Sequence, residues 1–165
     1  MQIRDATDAD LPAIVAIYNT TVASGIVTAD IEPVSVESRR AWFAQHSPAR
    51  RPLWVALDGE QILGWLSYSS FYGRPAYDGT CEVSIYLAPD QRGRGSGSEL
   101  LRRCIAHAPA IGVTTLLGFI FGHNEPSLRL FEKHGFARWG HLPRIAMLHG
   151  VERDLIIVGR RVDPV

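Results

Sequence analysis

Apolar residues in the first third of the chain recur at the spacing of helices. Residues 2–4 are typical of a short strand, and Thr7, followed by first-turn acids, predicts a helix that runs to about residue 23. Its apolar positions lie three or four residues apart: Leu11, Ile14, Val15, Tyr18 and Val22. A second helix is predicted over 36–46, where Trp42 and Phe43 share one face and prolines follow.

Strand-like alternation replaces the helical spacing in the middle of the chain. Segments 53–57 and 61–69 flank an Asp-Gly pair, which predicts two antiparallel strands joined by a tight hairpin. A further strand is predicted over 80–87, because its odd-numbered residues are apolar and can share one buried face. The opposite face carries more polar side chains, namely Glu82, Ser84 and Tyr86.

Helices and strands alternate again in the second half. A helix is predicted from Gly97 to the stop signal Gly112, and a buried strand over 114–120. A helix over 124–135 and two strands, 136–148 and 152–162, complete the order. Because no linker or repeat interrupts it, we expect residues 1–165 to form a single domain.

Composition and charge narrow the class of function. The chain has 165 residues, 46% of them hydrophobic, and equal numbers of basic and acidic residues, 17 of each. Since the formal net charge is zero, no global field favours nucleic acid or an anionic membrane, and any anion site must be local. Cys81 and Cys104 are expected to be buried free thiols in a cytoplasmic protein, and the histidines show no metal-ligand spacing.

The segment 91–97, QRGRGSG, is the strongest candidate for a local anion site. It stands between a predicted strand and a helix, where alternating glycines let backbone N–H groups converge on a phosphate at the helix N-terminus. The alternative is an ordinary glycine-rich turn with two solvated arginines. The predicted contacts to a pyrophosphate are Arg92, Gly93, Arg94, Gly95, Ser96 and Gly97.

Two motifs in order resemble those of the GNAT N-acetyltransferase superfamily. Segment 92–97 is similar to its coenzyme A pyrophosphate loop, Arg/Gln-x-x-Gly-x-Gly/Ala, and 124–136 is similar to its later helix, Asn-x-x-Ser/Ala-x-x-Leu-aromatic-x-x-x-Gly-Phe. The resemblance implies an α+β fold with a mixed, mostly antiparallel sheet of about seven strands flanked by helices. It also implies acetyl-CoA as co-substrate and no metal.

The resemblance also assigns contacts to the pantetheine arm of the coenzyme. In that superfamily, the strand before the loop parts from the next strand and binds the arm through unpaired backbone groups. In this chain those groups belong to Ile85, Tyr86 and Leu87. Asn124 and Ser127 match the later-helix positions that contact the coenzyme, although Asn124 is equally suited to a plain helix cap.

Glu82 is the candidate general base. It is the one carboxylate in an otherwise apolar strand, where desolvation raises the pKa of a carboxyl group towards a useful value. The residues themselves leave open a solvated glutamate on an edge strand.

Segment 77–87 points to one branch of the superfamily. It resembles the Tyr-x-x-Thr-Val-Glu-x-Ser-Val-Tyr-Val segment of phosphinothricin and methionine sulfoximine acetyltransferases, in which the glutamate is the base, directly or through water. Arg74 and Tyr77 match the branch positions that bind an amino acid's carboxylate, the alternative for Arg74 being a surface arginine in a turn.

Three departures from the branch bear on the acceptor and the leaving group. Tyr72 stands where many members have a second arginine, and Thr28-Ala29 replaces threonine-phenylalanine, so the acceptor pocket differs. Phe131 replaces a tyrosine or histidine and cannot protonate the departing thiolate.

The sequence therefore predicts acetyl transfer from acetyl-CoA to the primary amine of a small amino-acid-like compound by direct attack. The alternatives are acetylation of a protein N-terminus, a polyamine or an aminoglycoside, and a non-catalytic module that senses acyl-CoA. The resemblance also implies a homodimer, with no nucleic-acid or membrane partner.

Overall fold

A seven-stranded sheet forms the centre of the computed structural model, which describes residues 1–162; the end of the predicted domain, 163–165, lies outside the described residues. The strands are β1 (Gln2–Asp5), β2 (Leu53–Asp58), β3 (Gln61–Ser70), β4 (Thr80–Leu87), β5 (Thr115–Phe121), β6 (Ala137–Leu148) and β7 (Val151–Arg161). Their order is β1-β2-β3-β4-β5-β7-β6. Among the strands of residues 1–162, only β4 and β5 pair in parallel, which confirms the predicted mixed, mostly antiparallel sheet.

Helices cover both faces of this sheet. They are α1 (Leu11–Val22), α2 (Arg40–Ala44), α3 (Ser96–His107) and α4 (Glu125–Lys133). Because side chains of a strand alternate between faces, Val55 of β2 packs in one core cluster with Ile14 of α1. Its neighbour Ala56 packs in the other cluster with Leu100 of α3. The sheet therefore separates two apolar cores.

Two helices are shorter than the sequence predicts. The second predicted helix has one α-helical segment, α2, preceded by a 3₁₀ turn at Glu37–Arg39. The third stops at His107, because Pro109 lacks an N–H and its ring would clash in a continuing helix. A 3₁₀ turn, Ala108–Ile111, follows it, and Gly112, at φ +73°, ends that turn, so the predicted stop ends the 3₁₀ turn and not the α-helix.

The parallel pair at the centre of the sheet is only partly formed. Pairing runs from Thr80 opposite Thr115 to Glu82 opposite Leu117, and then ends. The last five residues of β4 stay paired with β3, while the rest of β5 pairs with β7. A gap between β4 and β5 therefore opens directly after Glu82.

Two further predictions about local features of the chain agree with the structure. The Asp-Gly pair forms the β2–β3 turn, with Gly59 at φ +58°, as predicted. Cys81 and Cys104 are buried and free, also as predicted. None of the helices in residues 1–162 is both long and apolar enough to span a bilayer.

Candidate active site

A cavity of about 190 Å³ lies between α1, α2 and the sheet face formed by β3 and β4. The even-numbered residues of β4 point into it, as the alternating pattern predicts. Its walls are Ile14, Val15, Tyr18, Val34, Arg39, Trp42, Trp65, Ser67, Ser69, Glu82, Ser84 and Tyr86.

Glu82 lies where β4 leaves β5, so its carboxylate belongs to the cavity while its backbone borders the gap. The side chain is half-buried, and this desolvation raises the pKa of its carboxyl above the ordinary value of 4.5. Across the strand pair its neighbour is Ser69, and Ser67 stands opposite Ser84. A half-buried carboxylate among hydroxyls is suited to accept a proton from an amine.

Aromatic rings form one wall of the cavity. Trp65 stacks on Tyr86 with ring centroids 4.5 Å apart, and Tyr86 meets Tyr18 at 5.1 Å. Trp42 packs edge-on against Trp65 at 5.5 Å. Such a wall offers apolar contact to the carbon chain of a small ligand.

The loop between α1 and α2 reaches the same cavity through a polar network. The Arg39 guanidinium lies over the Tyr18 ring, 4.7 Å from its centroid, and donates to Asp30 Oδ2 at 3.0 Å. The Tyr18 hydroxyl also donates to Asp30 and lies 2.5 Å from Thr28 Oγ1. Burial is the main cause that raises the pKa of Tyr18, so this hydroxyl stays protonated.

The pairing of β3 and β4 decides which backbone groups face the gap. Ala88 N donates to Leu63 O and Phe71 N donates to Thr80 O, so the even-numbered residues of β4 exchange hydrogen bonds with β3. The N–H and C=O groups of the odd-numbered residues point the other way. Past Glu82 these are the groups of Val83, Ile85 and Leu87.

Because of this alternation, only two of the three residues predicted to bind pantetheine direct their backbone groups towards the gap. Ile85 and Leu87 present unpaired N–H and C=O groups to the gap. Tyr86 directs its own backbone groups to β3 and its ring into the cavity.

The glycine-rich loop leads from β4 into α3. Gly93 and Gly95 adopt φ values of +74° and +89°, which L side chains rarely adopt. No atom lies within 4 Å of the point where a Cβ would stand on either glycine. Arg92 and Arg94 are exposed beside them. The loop therefore leaves open space next to the unsatisfied N–H groups of the α3 N-terminus, where an anion is favoured.

Gly97 has different surroundings from the other two glycines. It lies in the first turn of α3, and an added Cβ would stand 3.3 Å from Leu130 Cδ2 and 3.4 Å from Leu87 Cδ1. The missing side chain thus makes room for protein atoms and lets α3 approach α4. Ser96, which begins the helix, is buried beside it.

Asn124 caps α4 at the carboxyl end of β5. Its Oδ1 accepts from Ser127 N at 3.3 Å, so the helix-cap interpretation is confirmed. The side chain is buried, and its Nδ2 can still donate to a ligand. Phe131, further along α4, is buried against Phe136 and Gly118 and belongs to the core.

Arg74 and Tyr77 lie outside the cavity walls. Arg74 is exposed and precedes a 3₁₀ turn, Pro75–Tyr77. Tyr77 is exposed too, and it packs edge-on against Phe71 at 5.4 Å. The loop that carries them is tied to the sheet by Arg51, which donates to Asp78 O. The structure therefore does not bring these two predicted acceptor contacts together with Glu82.

Several residues that line the cavity have no role predicted from the sequence. Trp65, Ser67 and Ser69 come from β3, and Tyr18 and Arg39 from α1 and the segment before α2. Arg39 shares its segment with Trp42, but only the tertiary structure turns both towards Glu82. No group of three or more His, Cys, Asp or Glu side chains that could hold a metal occurs within 1–162.

Comparison with known proteins identifies a consistent set of relatives. The family model described as Acetyltransferase (GNAT) family matches residues 14–136. YwnH of Bacillus subtilis, by its name a candidate phosphinothricin acetyltransferase, is 53% identical over 163 residues, which are 98% of this chain and 99% of that protein.

A second relative and a solved structure belong to the same group of acetyltransferases. The L-methionine sulfoximine/L-methionine sulfone acetyltransferase of Pseudomonas aeruginosa is 36% identical over 163 residues, covering 98% of this chain and 95% of that one. The crystal structure of a GNAT phosphinothricin acetyltransferase from Sinorhizobium meliloti in complex with acetyl-CoA superimposes with a TM-score of 0.92. It is 31% identical, and the match covers 98% of this chain and 88% of that one.

Proposed function

Since this chain belongs to the GNAT family of acetyltransferases, we propose that it moves an acetyl group from acetyl-CoA to the α-amine of a small amino acid of the phosphinothricin or methionine sulfoximine type. The observation that supports this most directly is that the half-buried Glu82 lines a cavity at the point where β4 and β5 part. Relatives named for acetylation of these compounds supply the substrate class.

The coenzyme is proposed to bind across the gap. The loop 92–97 would hold its pyrophosphate through backbone N–H groups, with Arg92 and Arg94 adding charge. Ile85 and Leu87 would hydrogen-bond the pantetheine arm as an added strand does, from one side of the gap. Asn124 Nδ2 and Ser127 would contact it from the other side.

The chemistry then requires one proton acceptor and one electrophile. Glu82 takes a proton from the acceptor's ammonium group, and the neutral nitrogen attacks the thioester carbonyl carbon. A backbone N–H of β4 polarises the carbonyl oxygen. The attacking nitrogen then loses its second proton to solvent as the carbon–sulfur bond breaks, and solvent protonates the thiolate, since Phe131 has no proton to give.

The cavity walls are compatible with this acceptor class. Trp65, Tyr86 and Tyr18 offer aromatic surface to the methylene groups of the acceptor's side chain. Arg74 and Tyr77 would meet the acceptor as it enters, from the loop outside the cavity.

We further propose that one domain carries this activity and that the protein works in the cytoplasm as a homodimer. The free thiols of Cys81 and Cys104 fit a reducing compartment. Four apolar side chains on the edge strand β6 are exposed and could meet a second copy: Trp139, Leu142, Ile145 and Met147. We call these four residues the β6 patch.

A panel of amines tests the proposed reaction. With acetyl-CoA in excess, thiol release is expected with phosphinothricin, methionine sulfoximine and methionine sulfone. Polyamines, aminoglycosides and peptides with a free N-terminus should react more slowly, because none of them combines one amine with an adjacent carboxylate. If the protein instead prefers one of those three classes of amine, that class is the acceptor and the proposed amino acid is not. Acetyl-CoA binding without thiol release on any amine would indicate a sensing module.

A further inference from the structure

The cavity walls carry one acidic and one basic side chain, which matches the one ammonium and one carboxylate of an α-amino acid. Among the described residues that line the cavity, Glu82 is the one acid and Arg39 the one base. An α-amino acid carries one ammonium and one carboxylate, and its two charged groups need partners of opposite sign when water is excluded. The proposed base occupies the acidic position, so the basic position is left for the carboxylate.

Arg39 is held in place while much of its guanidinium stays free to bind. The planar group is supported by the Tyr18 ring at 4.7 Å and lies 5.9 Å from the centroid of Trp42. Its bond to Asp30 uses Nη2 alone, whereas a guanidinium has five N–H donors arranged for bidentate binding of a carboxylate. Stacking on Tyr18 therefore orders the side chain before the ligand arrives.

The ion pair between Arg39 and Asp30 competes only weakly with binding of a ligand carboxylate to Arg39. The Asp30 side chain is 43% exposed and that of Arg39 is 25% exposed, and an ion pair in contact with solvent contributes little. Asp30 also accepts the Tyr18 hydroxyl, so its charge keeps a partner if Arg39 shifts. Asp30 can thus hold Arg39 through Nη2 and leave the other N–H donors of the guanidinium available.

We infer that Arg39 binds the α-carboxylate of the acceptor inside the cavity that Glu82 also lines, and selects α-amino acids over other amines. This inference rests on the proposed function and adds a residue to it. The exposed Arg74 then guides the acceptor at the entrance rather than holding its carboxylate during transfer.

The experiment compares an amino acid with its α-carboxamide, which has the same amine and side chain but no carboxylate. For each enzyme, kcat/KM is measured for L-methionine sulfone and for its carboxamide, and the ratio is compared with that of the unmodified protein. This comparison cancels the difference between the two amines' own pKa values. Acetyl-CoA affinity is measured in parallel to show that each variant retains the coenzyme site.

Arg39→Gln is expected to raise KM for the amino acid by about 10- to 100-fold, the loss expected for a hydrogen bond to a charged group. The KM for the carboxamide should change by less than about threefold. The preference for the amino acid over its carboxamide is therefore lost. Arg39→Lys keeps the charge without the bidentate geometry and should recover part of the preference. Arg40→Gln, the matched control at the exposed neighbouring arginine, should keep the preference of the unmodified protein. Arg74→Gln tests the competing carboxylate anchor.

Two results would overturn the inference. If Arg39→Gln keeps the preference and Arg74→Gln loses it, the carboxylate anchor is Arg74. If Arg39→Gln slows both acceptors equally and also lowers the melting temperature, Arg39 is a structural support of the Tyr18 ring. Failure of the proposed function looks different, because the unmodified protein itself would then acetylate no amino acid.

Discussion

At the scale of single residues, the chemistry depends on one carboxylate and on how strongly it is desolvated. Glu82 occupies a position at which its side chain faces the cavity and its backbone borders the gap. Burial favours the neutral form, which raises its pKa and makes it a stronger base once the proton is lost. The same burial means that the folded protein holds the proton of Glu82 more tightly than the unfolded chain does.

Replacement of Glu82 by glutamine is expected to lower kcat by about 10²- to 10⁴-fold, the usual contribution of a general base. In the unmodified protein, kcat/KM should fall as the pH drops through the raised pKa of Glu82, since only the unprotonated carboxylate accepts a proton. Glu82→Gln should lose this pH dependence and keep its affinity for acetyl-CoA. The exposed Glu60 serves as control: Glu60→Gln should change neither kcat nor the pH dependence of kcat/KM. An unaltered rate in Glu82→Gln would remove it from the base role.

The linkage between protonation and folding gives Glu82 a second measurable consequence. Because its folded-state pKa is raised, the stability that Glu82 contributes is present at low pH and is lost as the pH rises through that pKa. Glu82→Gln should therefore melt at a higher temperature than the unmodified protein at neutral pH. Differential scanning calorimetry near pH 4 should show the difference shrinking. A variant that melts lower at neutral pH would contradict the desolvation argument.

At the scale of elements, the coenzyme site is built from two interruptions of regular structure. β4 and β5 part after three paired positions, and the loop after β4 turns through two glycines at positive φ before α3 begins. Either interruption alone is common. Together they place unpaired backbone groups along a gap that ends at a helix N-terminus, where a pyrophosphate is stabilised.

Gly95→Ala is expected to weaken acetyl-CoA binding by at least about tenfold, because its Cβ would enter the space beside the loop N–H groups. The left-handed backbone also costs about 1–2 kcal/mol of folding free energy with any Cβ. Gly59→Ala is the matched control: Gly59 has φ +58° and equally open surroundings in the β2–β3 turn. Calorimetric titration should show intact coenzyme binding in Gly59→Ala. Equal loss of affinity in both variants would mean that strain, not the loop, controls binding.

At the scale of the whole molecule, the sheet is unevenly covered. Both faces of its first half are packed by helices, while the edge strand β6 is exposed along most of its length. An edge strand presents unpaired backbone groups, and the β6 patch adds apolar side chains to them. These features support the proposed homodimer.

Light scattering after gel filtration is expected to give twice the 18.2 kDa mass of one chain. Ile145→Glu should shift the protein to a monomer, because a charge would be buried in the patch. Ile31→Glu is the matched control: Ile31 is 59% exposed and Ile145 58%, but Ile31 lies outside the β6 patch. A monomeric unmodified protein at tens of micromolar would contradict the homodimer.

Much of the fold can be predicted from the pattern of apolar and polar residues within each segment. Alternation along 80–87 predicted which side chains of β4 face the core, and buried Cys81 and Val83 against the cavity-facing Glu82 confirm it. The capping signals of Asn124 and the stop at Gly112 were also readable, since a cap depends on backbone geometry within a few residues. Glu82 could be singled out because an isolated carboxylate interrupts an apolar strand.

What the sequence by itself determined is therefore the set of elements, their faces and the family to which they belong. Only the tertiary structure decided that β4 and β5 part after Glu82, that Gly97 accommodates Leu130 whereas Gly93 and Gly95 stay open, and that Arg39 rather than Arg74 lines the cavity. The physical reason is distance along the chain. Periodicity and caps are set by neighbours a few residues apart, whereas a cavity is set by which remote segments pack together.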